Sequence, residues 1–317
     1  MSVDYLRISV TDRCNLRCIY CDPLRDVDFV PRKELLTFEE IHRIAELFAQ
    51  CGITRIRLTG GEPLVRTNVV RLVRILAGIR SIDDLSLTTN GVLLESMADE
   101  LKDAGLKRVN VSMDSAQKDN YKQITGFDFF ENVTRGIYKA LAVGLRAVKI
   151  NSVIIKGVNV SQIPVLARMS VELPVAVRFI EYCPTSRQTR PASDYVPNKE
   201  VRRIIERRFG PLTSTLPSSG NGPALYFKIP DSAGCIGFIS GVSGSFCRTC
   251  NRLRLTSDGK VRPCLYSAYG YDLKGLIRTG AEDRQVMSLL KKIIAEKKNF
   301  TRLNSFTEEF CMRSVGG

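Results

Sequence analysis

The sequence predicts an α/β protein whose strands form a parallel sheet covered by helices. Along residues 5–209, short apolar stretches with the two-residue period of a strand alternate with longer stretches that have the period of an amphipathic helix. The alternation occurs six times at short spacing, which is typical of consecutive βα units. Because six units are too few for a closed eight-stranded barrel, we expect an open (β/α)6 barrel or a doubly wound sheet.

The first unit illustrates the pattern. Tyr5–Val10 has the composition of a strand, and Thr37–Gln50 carries its apolar residues on one helical face. Thr37 and Glu40 have the spacing of a capping box, which places the start of the helix at Thr37. The other predicted strands are Arg55–Leu58, Leu85–Thr88, Val109–Ser112, Val148–Ile155 and Val175–Ile180, and the other predicted helices are Val69–Leu76, Leu94–Ala104, Asn132–Ala142, Gln162–Val171 and Lys199–Phe209.

The composition changes after the sixth unit. Gly210–Pro223 is rich in Gly, Pro, Ser and Thr, which predicts a linker or a surface loop. Beyond it, Leu225–Ile229 and Cys235–Ile239 are strand-like, and Asp283–Lys298 has the pattern of a basic amphipathic helix. We therefore expect two parts, a core of residues 1–222 and a smaller C-terminal region of residues 223–317.

Composition limits the class of protein. Of the 317 residues, 44% are hydrophobic, which is enough for a large core. The chain has no run of 18 apolar residues and no basic-then-apolar leader, so we expect a cytoplasmic protein without membrane attachment. Ten cysteines should stay reduced there, which makes clustered cysteines candidates for metal binding. The net charge of +14 suits a polyanionic partner, either a nucleotide polyphosphate or a nucleic acid.

Three cysteines follow the first predicted strand at the spacing C-x3-C-x2-C, namely Cys14, Cys18 and Cys21. Three thiolates on one short loop suit a four-iron cluster that leaves one iron open to a small molecule. A structural zinc site is the alternative, but it needs a fourth ligand, for which Asp22 is the only nearby candidate. The loop lies at the carboxyl end of its strand, where parallel folds place their chemistry.

A second group, Cys247, Cys250 and Cys264, has the spacing C-x2-C-x13-C. By spacing, Cys235 could complete a four-cysteine zinc site, so zinc and an iron–sulfur cluster both remain open. Directly after it, Arg252 and Arg254 stand two residues apart and would share one face of a strand. Guanidinium groups in this arrangement suit phosphate or purine acceptors, and the alternative for them is a solvated strand face.

Together these motifs resemble the radical S-adenosylmethionine superfamily, whose cluster loop has the first cysteine spacing with an aromatic residue before the last cysteine. Within it, the whole chain is similar to the GTP 3′,8-cyclase family of molybdenum cofactor synthesis. The first motif alone indicates only the superfamily. The second cysteine group, the Asn-Arg-Leu-Arg run and the Gly-Gly end indicate the narrower family. Other matching segments are Leu6–Ser9, Ile56–Pro63, Thr89–Gly91, Val109–Ser112, Val148–Asn151 and Arg178–Tyr182.

The resemblance implies an incomplete (β/α)6 radical S-adenosylmethionine barrel, with a small C-terminal cluster-binding region that closes its open side. It implies two [4Fe–4S] clusters, one at each cysteine group, and S-adenosylmethionine bound at the first. Glycines at the turn after the second strand would allow close backbone approach to this cofactor. The residues implied for S-adenosylmethionine are Tyr20, Gly60, Gly61, Glu62, Ser112 and Cys183.

The resemblance also implies the reaction. A 5′-deoxyadenosyl radical takes the hydrogen from C3′ of the GTP ribose, and the carbon radical attacks C8 of guanine. The residues implied for GTP are Arg7, Arg57, Thr88, Lys149, Arg252, Leu253 and Arg254, and those implied for catalysis are Arg252, Arg254, Arg313, Gly316 and Gly317.

Partners follow from the same resemblance. We expect GTP as substrate, an electron donor of the flavodoxin or ferredoxin type, and a downstream cyclic pyranopterin monophosphate synthase, with no nucleic acid and no membrane; a homodimer is left open.

Asp22 and Cys183 stand where the family leads us to expect methionine. Two alternatives therefore remain, a two-cluster radical enzyme that modifies a peptide or RNA, and a zinc protein that binds nucleic acid.

Overall fold

Six parallel strands and their helices form the centre of the computed structural model, which describes residues 3–21, 29–183, 191–216, 222–244, 249–267 and 269–299. The six predicted βα units are confirmed, and their boundaries differ from the predicted ones by at most two residues. The strands are β1 Tyr5–Ser9, β2 Arg55–Thr59, β3 Asp84–Thr89, β4 Arg108–Ser112, β5 Val148–Ile154 and β6 Ala176–Glu181.

The helices between these strands include one that the sequence pattern did not indicate. This helix, Lys118–Thr125, is short and mostly polar, and only its last turns place Tyr121, Ile124 and Thr125 in the interior. The helices in this part are α1 Phe38–Gln50, α2 Val69–Ala77, α3 Leu94–Asp103, α4 Lys118–Thr125, α5 Phe130–Ala142, α6 Ile163–Glu172 and α7 Asn198–Phe209.

The capping box at the start of α1 is confirmed. The hydroxyl of Thr37 accepts a hydrogen bond from the backbone N–H of Glu40 at 3.1 Å, and the carboxylate of Glu40 accepts one from the backbone N–H of Thr37 at 2.8 Å. Two N–H groups that have no partner within the helix are thereby satisfied. None of the helices in the described ranges is long and apolar enough to span a membrane.

The C-terminal region extends the same sheet from both sides. The added elements are β7 Thr213–Thr215, β8 Leu225–Lys228, β9 Cys235–Ile239, β10 Arg252–Leu255, β11 Lys260–Arg262, β12 Tyr271–Asp272, α8 Leu273–Arg278 and α9 Asp283–Asn299. The strand order is β12-β11-β10-β1-β2-β3-β4-β5-β6-β9-β8-β7, in which β9 pairs parallel with β6 and β10 pairs parallel with β1. The predicted linker contains the short strand β7, so it is not entirely loop.

The two faces of this open sheet differ in chemistry. Alternate residues such as Leu6 and Ile8 are fully buried against the helices and belong to the main hydrophobic core. The alternating residues of the same strands, such as Arg7 in β1 and Arg57 in β2, lie on the other, inner face, because successive side chains of a strand point to opposite sides. The sheet therefore encloses a polar inner face inside a ring of helices, the architecture of a partial barrel.

Candidate active site

The first cysteine loop is held in place by backbone and side-chain hydrogen bonds. The N–H groups of Arg17 and Ile19 donate to the carbonyls of Thr125 and Ile124 at 2.9 and 3.0 Å, which fixes the loop to the end of α4. The guanidinium of Arg17 also donates to the carbonyl of Cys14 at 2.8 Å. These hydrogen bonds define the backbone of the loop that carries the cysteines.

Gly60 and Gly61 have a structural role beside the one predicted for them. The N–H of Gly61 donates to the carbonyl of Thr11 at 2.7 Å, and a Cβ on Gly60 would lie 2.5 Å from the same oxygen. A Cβ on Gly61 would overlap the carbonyl of Arg13. The two glycines thus let the β2 turn pack directly on the segment that enters the cysteine loop.

The three thiols of this loop act on one another. Burial, followed by the charges of Cys21, Asp114 and Cys14, raises the pKa of the Cys18 thiol well above its usual value, so the three cysteines are neighbours. Three thiolates on one loop are the ligand set of a cubane, in which each thiolate binds a different iron. Asp22, the proposed fourth zinc ligand, lies outside the described residues.

Glu62 connects this loop to the end of β3. Its carboxylate accepts hydrogen bonds from the N–H of Leu64 at 2.9 Å, the hydroxyl of Thr89 at 2.7 Å and the N–H of Asn90 at 2.6 Å. Burial raises its pKa to about 7 despite these donors. The amide of Asn90 then donates to Asn15 at 2.7 Å. The Glu62 carboxylate is thus held by three donors of the protein itself.

The other residues predicted for S-adenosylmethionine lie at the carboxyl ends of the strands. The hydroxyl of Tyr20 donates to the carboxylate of Asp114 at 2.5 Å, and that carboxylate also accepts from the N–H of Val153 at 2.7 Å. Ser112 is the last residue of β4. Cys183 follows β6, and its sulfur lies 2.9 Å from the hydroxyl of Tyr266 in the C-terminal region.

The inner face of the sheet carries a cluster of basic side chains. Strand pairing places Arg254, Arg7, Arg57 and Arg108 in one row, with Ser86 between the last two. The rows above it contain Lys149 and Arg178. We call this set the inner cationic face; its members are Arg7, Arg57, Arg108, Lys149, Arg178, Arg252 and Arg254.

Like charges on this face perturb one another. Burial, followed by the charges of Arg178, Arg108 and Arg57, lowers the pKa of Lys149 to about 7. Burial, and then Arg254 and Arg57, holds the pKa of Arg7 well below its usual value. Confined cations of this kind are destabilised without an anion and are stabilised by a polyanionic ligand.

The structure adds members of this face that the sequence analysis missed. Arg108 forms an ion pair with Asp84, and the guanidinium of Arg178 donates to Asn151 at 2.8 Å. The ammonium of Lys149 lies 3.4 Å from the hydroxyl of Tyr226 in β8. The two-residue alternation of β4 and β6 could have assigned Arg108 and Arg178 to this face from the sequence. The position of Tyr226 depends instead on the pairing of β8 with β9.

Thr88 and Leu253, both predicted to bind GTP, lie on opposite faces of the sheet. Thr88 lies on the inner face, where its hydroxyl accepts a hydrogen bond from the amide of Asn110 at 3.3 Å. Leu253 lies between the two arginines of β10 but faces the opposite way, and its side chain is fully buried in the hydrophobic core. Any contact of Leu253 with a nucleotide would therefore involve its backbone.

The described cysteines of the second group meet beside β10. Cys250 precedes the strand, and Cys264 follows β11, which pairs antiparallel with β10. Burial raises the pKa of the Cys250 thiol, but the charges of Arg252 and Lys297 outweigh this effect and lower it to about 7. A thiol that ionises this readily suits a metal ligand.

Cys235, the alternative fourth ligand of this group, lies elsewhere. It begins β9, on the other side of the sheet, and packs with Ala176, Ala224 and Tyr226. The charges that act on its thiol are those of Lys149, Lys228 and Arg178. The four-cysteine zinc hypothesis therefore receives no support from the described residues. Five further residues named above lie outside the described residues: Asp22, Cys247, Arg313, Gly316 and Gly317.

The two cysteine sites lie toward opposite ends of neighbouring strands. The Cys14 loop follows the C-terminal end of β1, whereas Cys250 precedes the N-terminal end of β10, and the two strands run parallel. The N–H of Tyr5 donates to the carbonyl of Asn251 at 3.3 Å, which fixes this register. The five residues of β1 span about 13 Å at the usual rise per residue. The inner cationic face occupies the space between them.

Family models match nearly the whole chain in two consecutive parts. The model of the radical SAM superfamily matches residues 8–169, and the model "Molybdenum Cofactor Synthesis C" matches residues 175–303. The second match begins within the sixth βα unit, which agrees with the observation that the C-terminal strands join the same sheet.

Curated relatives match over their full length. A GTP 3′,8-cyclase of Pelotomaculum thermopropionicum is 45% identical over 99% of this chain and 98% of its own length. The GTP 3′,8-cyclase of Moorella thermoacetica is 44% identical over 99% of this chain and 98% of its own length.

Solved structures share the fold at low identity. Streptococcus suis SuiB bound to S-adenosylmethionine superposes with a TM-score of 0.58 and 16% identity over 91% of this chain and 68% of its own. The structure of anSMEcpe with bound AdoMet gives a TM-score of 0.51 and 18% identity over 65% of this chain and 57% of its own. At these identities the similarity concerns the fold.

Proposed function

The chain belongs to the GTP 3′,8-cyclase family of the radical S-adenosylmethionine superfamily, and on that basis we propose that it converts GTP to (8S)-3′,8-cyclo-7,8-dihydroguanosine 5′-triphosphate in molybdenum cofactor biosynthesis. Its cofactors are two [4Fe–4S] clusters and S-adenosylmethionine. When bound, the first cluster and S-adenosylmethionine supply the radical that removes the hydrogen atom from C3′ of the ribose.

The inner cationic face carries the proposal. It lies between the two cysteine sites, and a triphosphate supplies the negative charge that its crowded cations need. Guanidinium groups bind phosphate oxygens as forks, and the row of Arg254, Arg7 and Arg57 offers several of them side by side. A substrate held there would have its ribose and base between the radical source and the second cluster.

Four residues support the cofactor end of the proposed site. Gly60 and Gly61 let the β2 turn pack on the entry to the cysteine loop, and Glu62 ties that turn to the end of β3. Asp114 orients the hydroxyl of Tyr20. These contacts fix the geometry of the loop, and rigid placement of reacting groups lowers the entropic part of the barrier.

The residues of the second cluster site and the C-terminal tail complete the proposed site. Cys247, Cys250 and Cys264 would hold the second cluster, and Arg252 and Arg254 follow it directly. We assign Arg313, Gly316 and Gly317 to catalysis from the family resemblance. Deletion of Gly316 and Gly317 should leave iron content and GTP binding near normal and abolish the cyclised product. Full turnover by the truncated chain would exclude a catalytic role for the tail.

The remaining partners follow from the same proposal. A flavodoxin- or ferredoxin-like donor would supply the electron, and the net charge of +14 suits the acidic surfaces of such proteins. The product would pass to a cyclic pyranopterin monophosphate synthase in the cytoplasm. Modification of a peptide or RNA is less well supported, because the cations that would bind the substrate are buried inside the sheet.

The test is anaerobic incubation with GTP, S-adenosylmethionine and a reductant. The protein should carry about eight irons per chain, as two cubanes require. GTP deuterated at C3′ should transfer its deuterium to 5′-deoxyadenosine, and a cyclised isomer of GTP should form. Cleavage of S-adenosylmethionine without either result would refute the cyclase assignment. Stoichiometric zinc that is lost in Cys235→Ala would refute the second cluster.

A further inference from the structure

Asn110 lies in the middle of β4 on the inner face of the sheet. Its neighbours in the same row are Thr88 of β3 and Lys149 of β5, and both of these residues are expected to bind GTP. Only 1% of Asn110 is exposed. The family resemblance implies no role for this residue, although it stands between two residues of the expected nucleotide site.

The side-chain amide of Asn110 uses only one of its two ends. Its amino group donates a hydrogen bond to the hydroxyl of Thr88 at 3.3 Å, so the side chain is turned toward the inner face. Its carbonyl oxygen, Oδ1, is buried and has no hydrogen-bond partner within the part of the chain that the structure describes. A buried acceptor without a donor is destabilising, and a donor on a bound ligand would relieve that cost.

The chemistry of this oxygen limits what it can bind. Arg108, two residues earlier in β4, and Lys149, in the next strand, carry hydrogen-bond donors and suit phosphate oxygens. An amide oxygen is an acceptor and cannot bind an ionised phosphate, which consists of acceptors as well. It requires an O–H or N–H group, and in GTP these groups are the ribose hydroxyls and the N–H groups of guanine.

The position of Asn110 along the strand favours the ribose over the base. Ser112, the last residue of β4, is expected to contact S-adenosylmethionine, and Asn110 precedes it on the same face by two residues, or about 7 Å. The row that contains Arg57 and Arg108 lies two residues further from that end of the sheet. In the proposed reaction the part of GTP nearest the cofactor is C3′ of the ribose. The donor nearest Asn110 is therefore a ribose hydroxyl.

We propose that Asn110 is a substrate-binding residue whose side-chain carbonyl accepts a hydrogen bond from a ribose hydroxyl of GTP and thereby helps to fix C3′ relative to the cofactor. The inference rests on the proposed function, and it adds a residue that selects among nucleotides. A site that holds a buried acceptor for a hydroxyl rejects an analogue without that hydroxyl, because the acceptor then stays unpaired. The 2′ and 3′ hydroxyls share this chemistry, and the test separates them.

The test measures nucleotide binding without turnover. The reconstituted full-length protein is kept anaerobic with S-adenosylmethionine and no reductant, and GTP, 2′-deoxy-GTP and 3′-deoxy-GTP each compete with labelled GTP. We expect one deoxynucleotide to bind the wild type about fivefold more weakly than GTP, as for the loss of one neutral hydrogen bond. In Asn110→Leu, GTP should bind about fivefold more weakly and that deoxynucleotide should be unaffected, so that the preference disappears. Asn110→Asp keeps the acceptor and should keep the preference, while its negative charge weakens both nucleotides alike.

Ser152→Ala is the matched control. The hydroxyl of Ser152 is also buried and without a hydrogen-bond partner among the described residues. The alternation of β5 places it with Ile150 and Ile154 on the face covered by helices, opposite to Lys149. This variant should keep both the affinities and the preference of the wild type. Iron content and thermal unfolding show whether each variant is folded.

Four results would overturn the inference. The first needs no variant: a wild type that binds GTP and both deoxynucleotides equally well. The second is an Asn110→Leu variant that keeps the preference, and the third is an equal loss for all three nucleotides, which would show a purely structural role. The fourth is a lost preference for GTP over inosine triphosphate with the ribose preference intact, which would assign the amide to the base. A wild type that binds no GTP would refute the proposed function together with the inference, whereas these four results refute the inference alone.

Discussion

Raising the pH above neutrality should weaken GTP binding through Lys149. Burial and the neighbouring charges of Arg178, Arg108 and Arg57 lower the pKa of this ammonium to about 7. A triphosphate binds the charged form, so that binding takes up a proton. With a pKa of about 7, half of the side chains are charged at pH 7 and about one in eleven at pH 8. The apparent affinity should therefore fall about fivefold between pH 7 and 8 and approach tenfold per unit above that.

The assay is anaerobic calorimetry of the reconstituted protein with GTP, in buffers that differ in ionisation enthalpy. Wild type at pH 8 should take up nearly one proton more than Lys149→Arg, which stays charged and reports the titration of the phosphate itself. Lys149→Met should lose roughly tenfold to hundredfold in affinity at pH 7, the cost of one charge-assisted hydrogen bond of about 1.5–3 kcal/mol. Equal pH dependence in wild type and Lys149→Arg would refute the assignment of this proton to Lys149.

Three other substitutions test separate contacts. Arg254→Ala should weaken GTP binding by roughly tenfold to hundredfold and leave the iron content intact. The control is Arg208→Ala on the exposed part of α7, which should change neither. Equal effects of the two substitutions on GTP binding would show that the charge acts only at long range. Gly61→Ala places a Cβ against the carbonyl of Arg13, so it should reduce the iron bound at the first cysteine loop and spare the second cluster. Full occupancy of both clusters in this variant would contradict the prediction. Glu181→Gln should lower the free energy of unfolding by about 1–3 kcal/mol in a urea titration, because its carboxylate accepts from the N–H groups of Asn198, Val242 and Ser243. Glu206→Gln, at a half-exposed ion pair with Arg202, is the control and should have little effect.

Several features of the site could be predicted from the sequence because they depend on local spacing. Three cysteines within eight residues converge on any compact loop, and their association survives whatever fold surrounds them. The pair Arg252 and Arg254 shares a face as soon as β10 is a strand. The same rule places Leu253 on the opposite face, a consequence that the family resemblance alone did not indicate.

Other features depend on which strands are neighbours, and this information is not local. Arg7 and Arg254 are 247 positions apart in the chain and lie side by side only because β10 pairs with β1. The same holds for Tyr226, which reaches Lys149 through the addition of β8 and β9 beside β6. The lowered pKa of Lys149 follows from that convergence and from burial, and neither is visible in the sequence around it.

By itself, the sequence determined the six βα units, the two cysteine groups and the family, because each rests on short-range periodicity or spacing. Only the tertiary structure decided that the C-terminal region completes the sheet on both sides and that Glu62 directs its carboxylate inward. The physical reason is that strand order, burial and the sum of neighbouring charges are properties of the packed chain. A residue's own neighbours in sequence contribute only a small part of them.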